Sequence, residues 1–245
     1  MSDLADTPPA GRRTIERTGL TNQVYEAIKE QILDQTVRPG SRINIDLLVA
    51  ELGVSSTPIR EALARLHSER LVSFEPYIGY SAAPIHDDGW FHDMIDFRAM
   101  LEGSAADVGG RRRDKSVVAA LERAFASMNA SGLGQHYRKY SRFNAADAEF
   151  HQTIVASANN QVFSQAYQDL QPHIHYARLY LSRGVEEEAQ VTAEHQAILK
   201  GFRDGDGTAA RDAVIAHLEA ARSRLLKSAA IARARVGEAR RPKKR

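Results

Sequence analysis

Apolar positions follow two different regimes along this chain. From Thr21 to Pro84 the pattern is short and often interrupted. Thr21 is the expected N-cap of TNQVYEAIKEQILDQ, in which Val24, Ala27, Ile28, Gln31 and Ile32 share one helical face. Pro39–Gly40 breaks the chain, and Asp46 is the expected cap of a second short helix ending at Gly53. Ser55, Ser56 and Thr57 then offer caps in a row, Pro58 fits a first turn, and Ile59, Leu63 and Leu66 face inward. LVSFE and YSAAPI around a PYIG turn read as two strands, a β-wing. From Asp87 onward the strand signals stop, and helical periodicity predicts a bundle of six helices near 87–109, 114–129, 136–157, 161–181, 187–204 and 207–231. The GG at 109–110, SGLG at 131–134 and GDG at 205–207 are the expected boundaries.

The fold class is therefore mainly α: an N-terminal winged helix-turn-helix followed by an all-α bundle. The predicted division is a disordered arm at 1–19, a DNA-binding domain at 20–84, a helical domain at 85–231 and a basic tail at 232–245. A chain of 245 residues, 43% hydrophobic, has room for two domains of ordinary size. No apolar run approaches the roughly 18 residues of a membrane span, and the polar opening lacks the core of a signal peptide, so a cytoplasmic protein is expected. The absence of cysteine removes disulfides, zinc–thiolate sites and cysteine nucleophiles, and leaves histidine and carboxylate to hold any metal.

Charge points to nucleic acid less directly than the net +2 suggests. Residues 233–245 carry seven Lys/Arg against one Glu, whereas residues 1–84 hold nine Lys/Arg against eleven Asp/Glu. Bulk attraction to phosphate thus resides in the tail, either as a solvated end or as a non-specific DNA contact. The case for DNA recognition rests on individual side chains. Ser55, Ser56, Thr57 and Arg60 open the second helix of the helix-turn-helix, where hydroxyls and free N–H groups suit phosphate and a guanidinium can read guanine O6 and N7. The wing loop from Pro76 to Gly79, with Tyr77, would lie along the adjacent backbone or minor groove. The plainer reading has the hydroxyls as caps and Arg60 paired with Glu51 or Glu61.

The stretch PGSRINIDLLVAELGVSSTPIREALARLHSERLV resembles the GntR family of regulators, in its FadR branch with an FCD sensor domain, and the likeness runs from Thr21 to about Ala230. This resemblance implies a homodimeric DNA-binding regulator, usually a repressor, with Ser55, Thr57 and Arg60 on a double-stranded operator. Ser56 departs from the arginine common after the first serine, which lowers positive charge at the groove.

In the helical domain, Asp147 and His151 are four residues apart and leave one face of a helix together. His195 and His217 sit among apolar residues on two later helices. Three helices can thus bring one carboxylate and three imidazoles to a point, a set that suits zinc, nickel, manganese or iron(II), with zinc slightly ahead. The chain has nine histidines, so chance groupings exist, but these four match the metal positions implied by the FCD resemblance. Arg98 and Glu102 stand in the family's R-x-x-x-E pattern. Arg98 either clamps a small carboxylate effector or forms an i, i+4 salt bridge. Arg178 and Tyr180 are weaker candidates for the same pocket. A metal-dependent hydrolase is the competing reading, as is a regulator whose signal is the metal itself. Glu194, the nearest general base, precedes His195 and is expected to point away around the helix.

Overall fold

The computed structural model describes residues 15–130, 137–170 and 188–239. The first unit contains α1 (Ile15–Leu33), α2 (Ile45–Leu52), α3 (Ser56–Ser68), β1 (Val72–Glu75) and β2 (Gly79–Ala82). The strands pair antiparallel from Val72 opposite Ala82 to Glu75 opposite Gly79, and Arg42 adds a single bridge to Ser81. Val24, Ile28 and Ile32 of α1 pack on Ile59, Leu63 and Leu66 of α3, all buried. Each such side chain contributes roughly 1.5–3 kcal/mol by leaving water. The buried face of α1 also takes in Tyr25 and Lys29, which the apolar pattern did not mark. The Tyr25 hydroxyl donates to Glu69 at 2.7 Å, Lys29 Nζ reaches the same carboxylate at 3.2 Å, and Arg65 lies over the Tyr25 ring.

Helix ends depart from expectation where a cap competes with a neighbour. α1 starts at Ile15, so Thr21 lies inside it and donates its hydroxyl to Glu61, and residues 15–19 are helical rather than part of an arm. The cap of α2 is Asn44 instead of Asp46, because Asn44 has the extended backbone a cap needs and its side chain accepts from the N–H groups of Asp46 and Leu47. Gly53 ends α2 as expected, with φ of 65° and its N–H on the Val49 carbonyl.

The second unit contains α4 (Asp88–Arg111), α5 (Lys115–Ala130), α6 (Tyr137–Ser157), helical residues 161–170 (α7), α8 (Glu188–Asp204) and α9 (Gly207–Ala239). α4 packs along α9 and α6, α5 along α6, and α8 along α9. Their facing sides bury Phe91 and Ile95, Phe150 and Ile154, Ile198 and Phe202, and Val214 and Leu218. The GG at 109–110 does not end α4. Both glycines are buried within it: a Cβ on Gly110 would stand 2.9 Å from the Gly207 Cα, so Gly110 admits the start of α9, while a Cβ on Gly109 would meet Ser157 of α6. The GDG boundary holds, with Gly205 at φ of 69°, while SGLG lies outside the described residues. α9 runs past residue 231 and takes in the start of the expected basic tail. Among the described residues, no helix is long and apolar enough to cross a membrane.

Candidate metal centre and nucleic-acid interface

The α4, α6, α8 and α9 helices meet around one buried group of polar side chains. α6 supplies Asp147 and His151 one turn apart, α8 supplies His195 and α9 supplies His217. One ligand atom from each of the four lies within 4.8 Å of all the others. All four residues are buried, the three histidines almost completely. His195 Nε2 is 3.0 Å from Asp147 Oδ1, and His151 Nε2 is 3.6 Å from the same oxygen. The spacing-based set is thus brought together as expected.

Each imidazole is also anchored through its other nitrogen. His151 Nδ1 donates to Glu102 Oε2 at 2.6 Å, His195 Nδ1 to the Val191 carbonyl at 2.8 Å, and His217 Nδ1 to Glu194 Oε2 at 2.9 Å. A carboxylate or carbonyl oxygen only accepts, so each Nδ1 carries a hydrogen and each Nε2 is the nitrogen left for the site; those of His151 and His195 face Asp147, where a metal would take the place of a proton. That tautomer is the one a metal requires, and a second hydrogen bond on the far nitrogen is the usual companion of a metal-bound histidine. The donor set fits a divalent cation of borderline softness.

Burial disfavours a charge on Glu102, but the adjacent Arg98 guanidinium and His151 outweigh it and hold the carboxyl at about 2. Glu194 is likewise held at about 2, where partial burial is outweighed by Arg224 and His217. Burial and the neighbouring His195 push His217 down to about 3, so it is a neutral donor. Burial opposes protonation of His151 too, yet Glu102 and Asp147 raise it.

Arg98 takes the salt-bridge alternative, its Nε 2.6 Å from Glu102 Oε1 with both side chains buried. Among the described residues, its Nη2 is buried without a hydrogen-bond partner. Arg178 and Tyr180 lie outside the described residues. Glu194 leaves α8 on a different side from His195, as expected, but α9 crosses α8 on that side, so its carboxylate still reaches the site by bridging His217 and Arg224. Sequence reasoning missed Glu194, Arg224 and the outer role of Glu102. The E-H pair at 194–195 was visible, but its partner lies on another helix.

At the reading head, Ser55, Ser56, Thr57 and Arg60 are all exposed along the start of α3. Ser55 is the cap by backbone geometry and makes no side-chain cap bond. Arg60 forms no ion pair among the described residues. Glu61 accepts from Thr21, and Glu51 from Gln31. Tyr77 projects fully into solvent from the wing at φ of 67°, followed by Gly79 at φ of 97°.

Two protein families match this arrangement. Bacterial regulatory proteins of the gntR family match residues 20–80, and the FCD domain matches residues 93–220. Among curated relatives, the Nta operon transcriptional regulator of Aminobacter aminovorans is 30% identical over 74% of this chain and 83% of its own length. The galactonate operon transcriptional repressor of Escherichia coli is 25% identical, covering 84% and 96%. Among solved structures, E. coli McbR/YncC superposes with a TM-score of 0.63 at 20% identity over 85% of this chain and 97% of that one, which shows a shared fold. With a GntR reading head joined to an FCD domain that fills most of the helical unit, this chain belongs to the GntR family of bacterial regulatory proteins and is a transcriptional regulator, not an enzyme.

Proposed function

We propose that this regulator is an operon repressor whose helical domain holds a divalent metal on Asp147, His151, His195 and His217 and releases DNA when a small carboxylate binds beside it. The observation that carries the reading is the convergence of three Nε2-presenting imidazoles and one carboxylate in a buried site. A cation held there supplies a Lewis-acidic charge with positions open to ligand oxygens. Arg98 offers an effector its unpartnered Nη2, while its Nε stays on Glu102. Ser55, Ser56, Thr57 and Arg60 supply the groove contacts, with Tyr77 and Gly79 on the flanking backbone. A homodimer doubles a reading surface that spans only a few base pairs per copy. Repression fits the curated relatives, several of which are operon repressors.

The test has two parts. Elemental analysis of protein purified without chelators or an affinity tag should give close to one metal per chain. Titration of small organic acids into the protein–operator complex should release DNA from wild type and not from His195→Ala, by roughly the 5- to 150-fold typical of allosteric coupling. Metal-free, fully folded protein, or equal release from both proteins, would overturn the reading.

A further inference from the structure

Two of the three histidines are tied to the protein in the same way, through a glutamate that is itself gripped by an arginine. On one side, His151 bonds Glu102, and Glu102 bonds Arg98 one turn earlier on α4. On the other, His217 of α9 bonds Glu194 of α8, and both oxygens of Glu194 take the fork of Arg224, at 2.8 Å each. Among the described residues, His195 instead uses the Val191 carbonyl on its own helix.

We infer that Glu102 with Arg98, and Glu194 with Arg224, are positioning pairs for the metal centre. The glutamates fix the tautomer and tilt of two imidazoles, and the arginines cancel the glutamate charge. The inference rests on the metal reading above and assigns work to four residues that would not touch the metal.

The division of labour follows from charge and geometry. An ionised carboxylate can only accept, so it selects the Nδ1–H form of its histidine and leaves Nε2 for ligation. A planar guanidinium meeting both carboxylate oxygens offsets the charge of the partly buried Glu194, while the Glu194–Nδ1 hydrogen bond itself orients the ring. Two further uncompensated carboxylates beside Asp147 would be costly to bury in the absence of a cation. With both pairs neutral, Asp147 is the anionic member of the ligand set, and a bound divalent cation remains net positive.

The two members of a pair therefore have different expected effects. Glu194→Gln keeps size but no longer enforces the tautomer, and should weaken zinc binding by about 10- to 100-fold. Arg224→Gln leaves the Glu194 charge in place next to the cation, so zinc should bind at least as tightly as in wild type. A salt bridge with only a structural role would lower both alike.

The experiment is calorimetric titration of zinc into full-length, metal-free wild type, E194Q and R224Q. Circular dichroism confirms that each is folded, and nitrogen-15 histidine spectra report the His217 tautomer. The expected result is a wild-type Nδ1–H signal at His217 that is lost or mixed in E194Q, with zinc affinity reduced in E194Q and retained in R224Q. Wild-type zinc affinity in E194Q, or an equal loss in R224Q, would overturn the inference while leaving the metal site standing. Failure of wild type to bind zinc would remove the metal reading and the inference together.

Discussion

Arg233 donates from Nη1 to the backbone carbonyl of His86 at 2.8 Å, joining the far end of α9 to the segment between the wing and the helical bundle. Its other Nη group meets Asp88 in the first turn of α4, and Arg222, three turns earlier on α9, reaches Asp96 and His92. The His86 ring stacks on Trp90 at 3.9 Å. α9 also carries His217, so one helix touches both the candidate metal centre and the joint between the two units.

Arg233→Ala should loosen that joint more than it destabilises the whole protein. The ion pair is partly exposed and so worth about 1 kcal/mol or less, but the charged donor on a backbone carbonyl restrains a short connector. Amide exchange measured by mass spectrometry should quicken roughly tenfold around residues 84–92 and stay unchanged in α6. Uniform acceleration across both units would show instead that Arg233 acts on global stability.

His195→Gln should uncouple stability from metal. A ligand that binds only the native state stabilises by about 2.7 kcal/mol at a hundred times its Kd. Zinc at that excess should therefore raise the urea midpoint of metal-free wild type, and leave that of His195→Gln nearly where it was. An equal zinc-induced rise in both would mean that the ion binds elsewhere.

Arg60→Ala should cost roughly 1–3 kcal/mol at a specific operator and little on random DNA. Its exposed guanidinium forms no ion pair among the described residues, so the melting temperature should barely move. A mobility shift on the protein's own promoter region checks it, and wild-type affinity there would take Arg60 out of the reading set.

Stability of the metal-free protein should fall on acidification in two stages. His217 is depressed from 6.5 to about 3 by burial and by His195, so its contribution is present above 6.5 and lost as pH falls toward 3. Glu102 and Glu194, held at about 2 against an ordinary 4.5, contribute above 4.5 and lose that contribution as pH falls toward 2. His151 runs the other way: its pKa is raised, so its contribution is complete below 6.5 and lost as pH rises through the folded value, which partly offsets His217. Urea midpoints between pH 7 and 4 should decline less steeply in His217→Gln than in wild type. Identical slopes would exclude His217 as a source of the decline. Metal affinity should weaken over the same range, because protons compete for the imidazoles.

Whatever depends on near neighbours in the chain could be read from the order of residues alone. Period and punctuation mark the helix-turn-helix, the wing and the later helices, and the four-residue spacing of Asp147 and His151 places them on one face, since that spacing is about one helical turn. Gly53 was legible as a C-cap for the same reason: a left-handed residue after a short apolar helix is a local requirement. Even local signals failed where two residues compete, as when Asn44 rather than Asp46 caps α2, because backbone conformation decides between adjacent polar side chains.

Which helices become neighbours, and with that the outer half of the site, came from how the helices pack. Glu102 lies 49 residues from His151, and Glu194 lies 23 residues from His217, separations at which no period operates. Glu194 departs from its helix about 100° away from His195, which made it look uninvolved. α9 lies across that flank, so a side chain turned from one ligand meets the next. The same reason explains Gly109 and Gly110, which resemble a helix end in sequence and are instead close-packing surfaces, Gly109 against Ser157 of α6 and Gly110 against the start of α9. Helical period tells which way a residue faces along its own axis, whereas what stands opposite is set by how the helices pack, and that depends on the whole core at once.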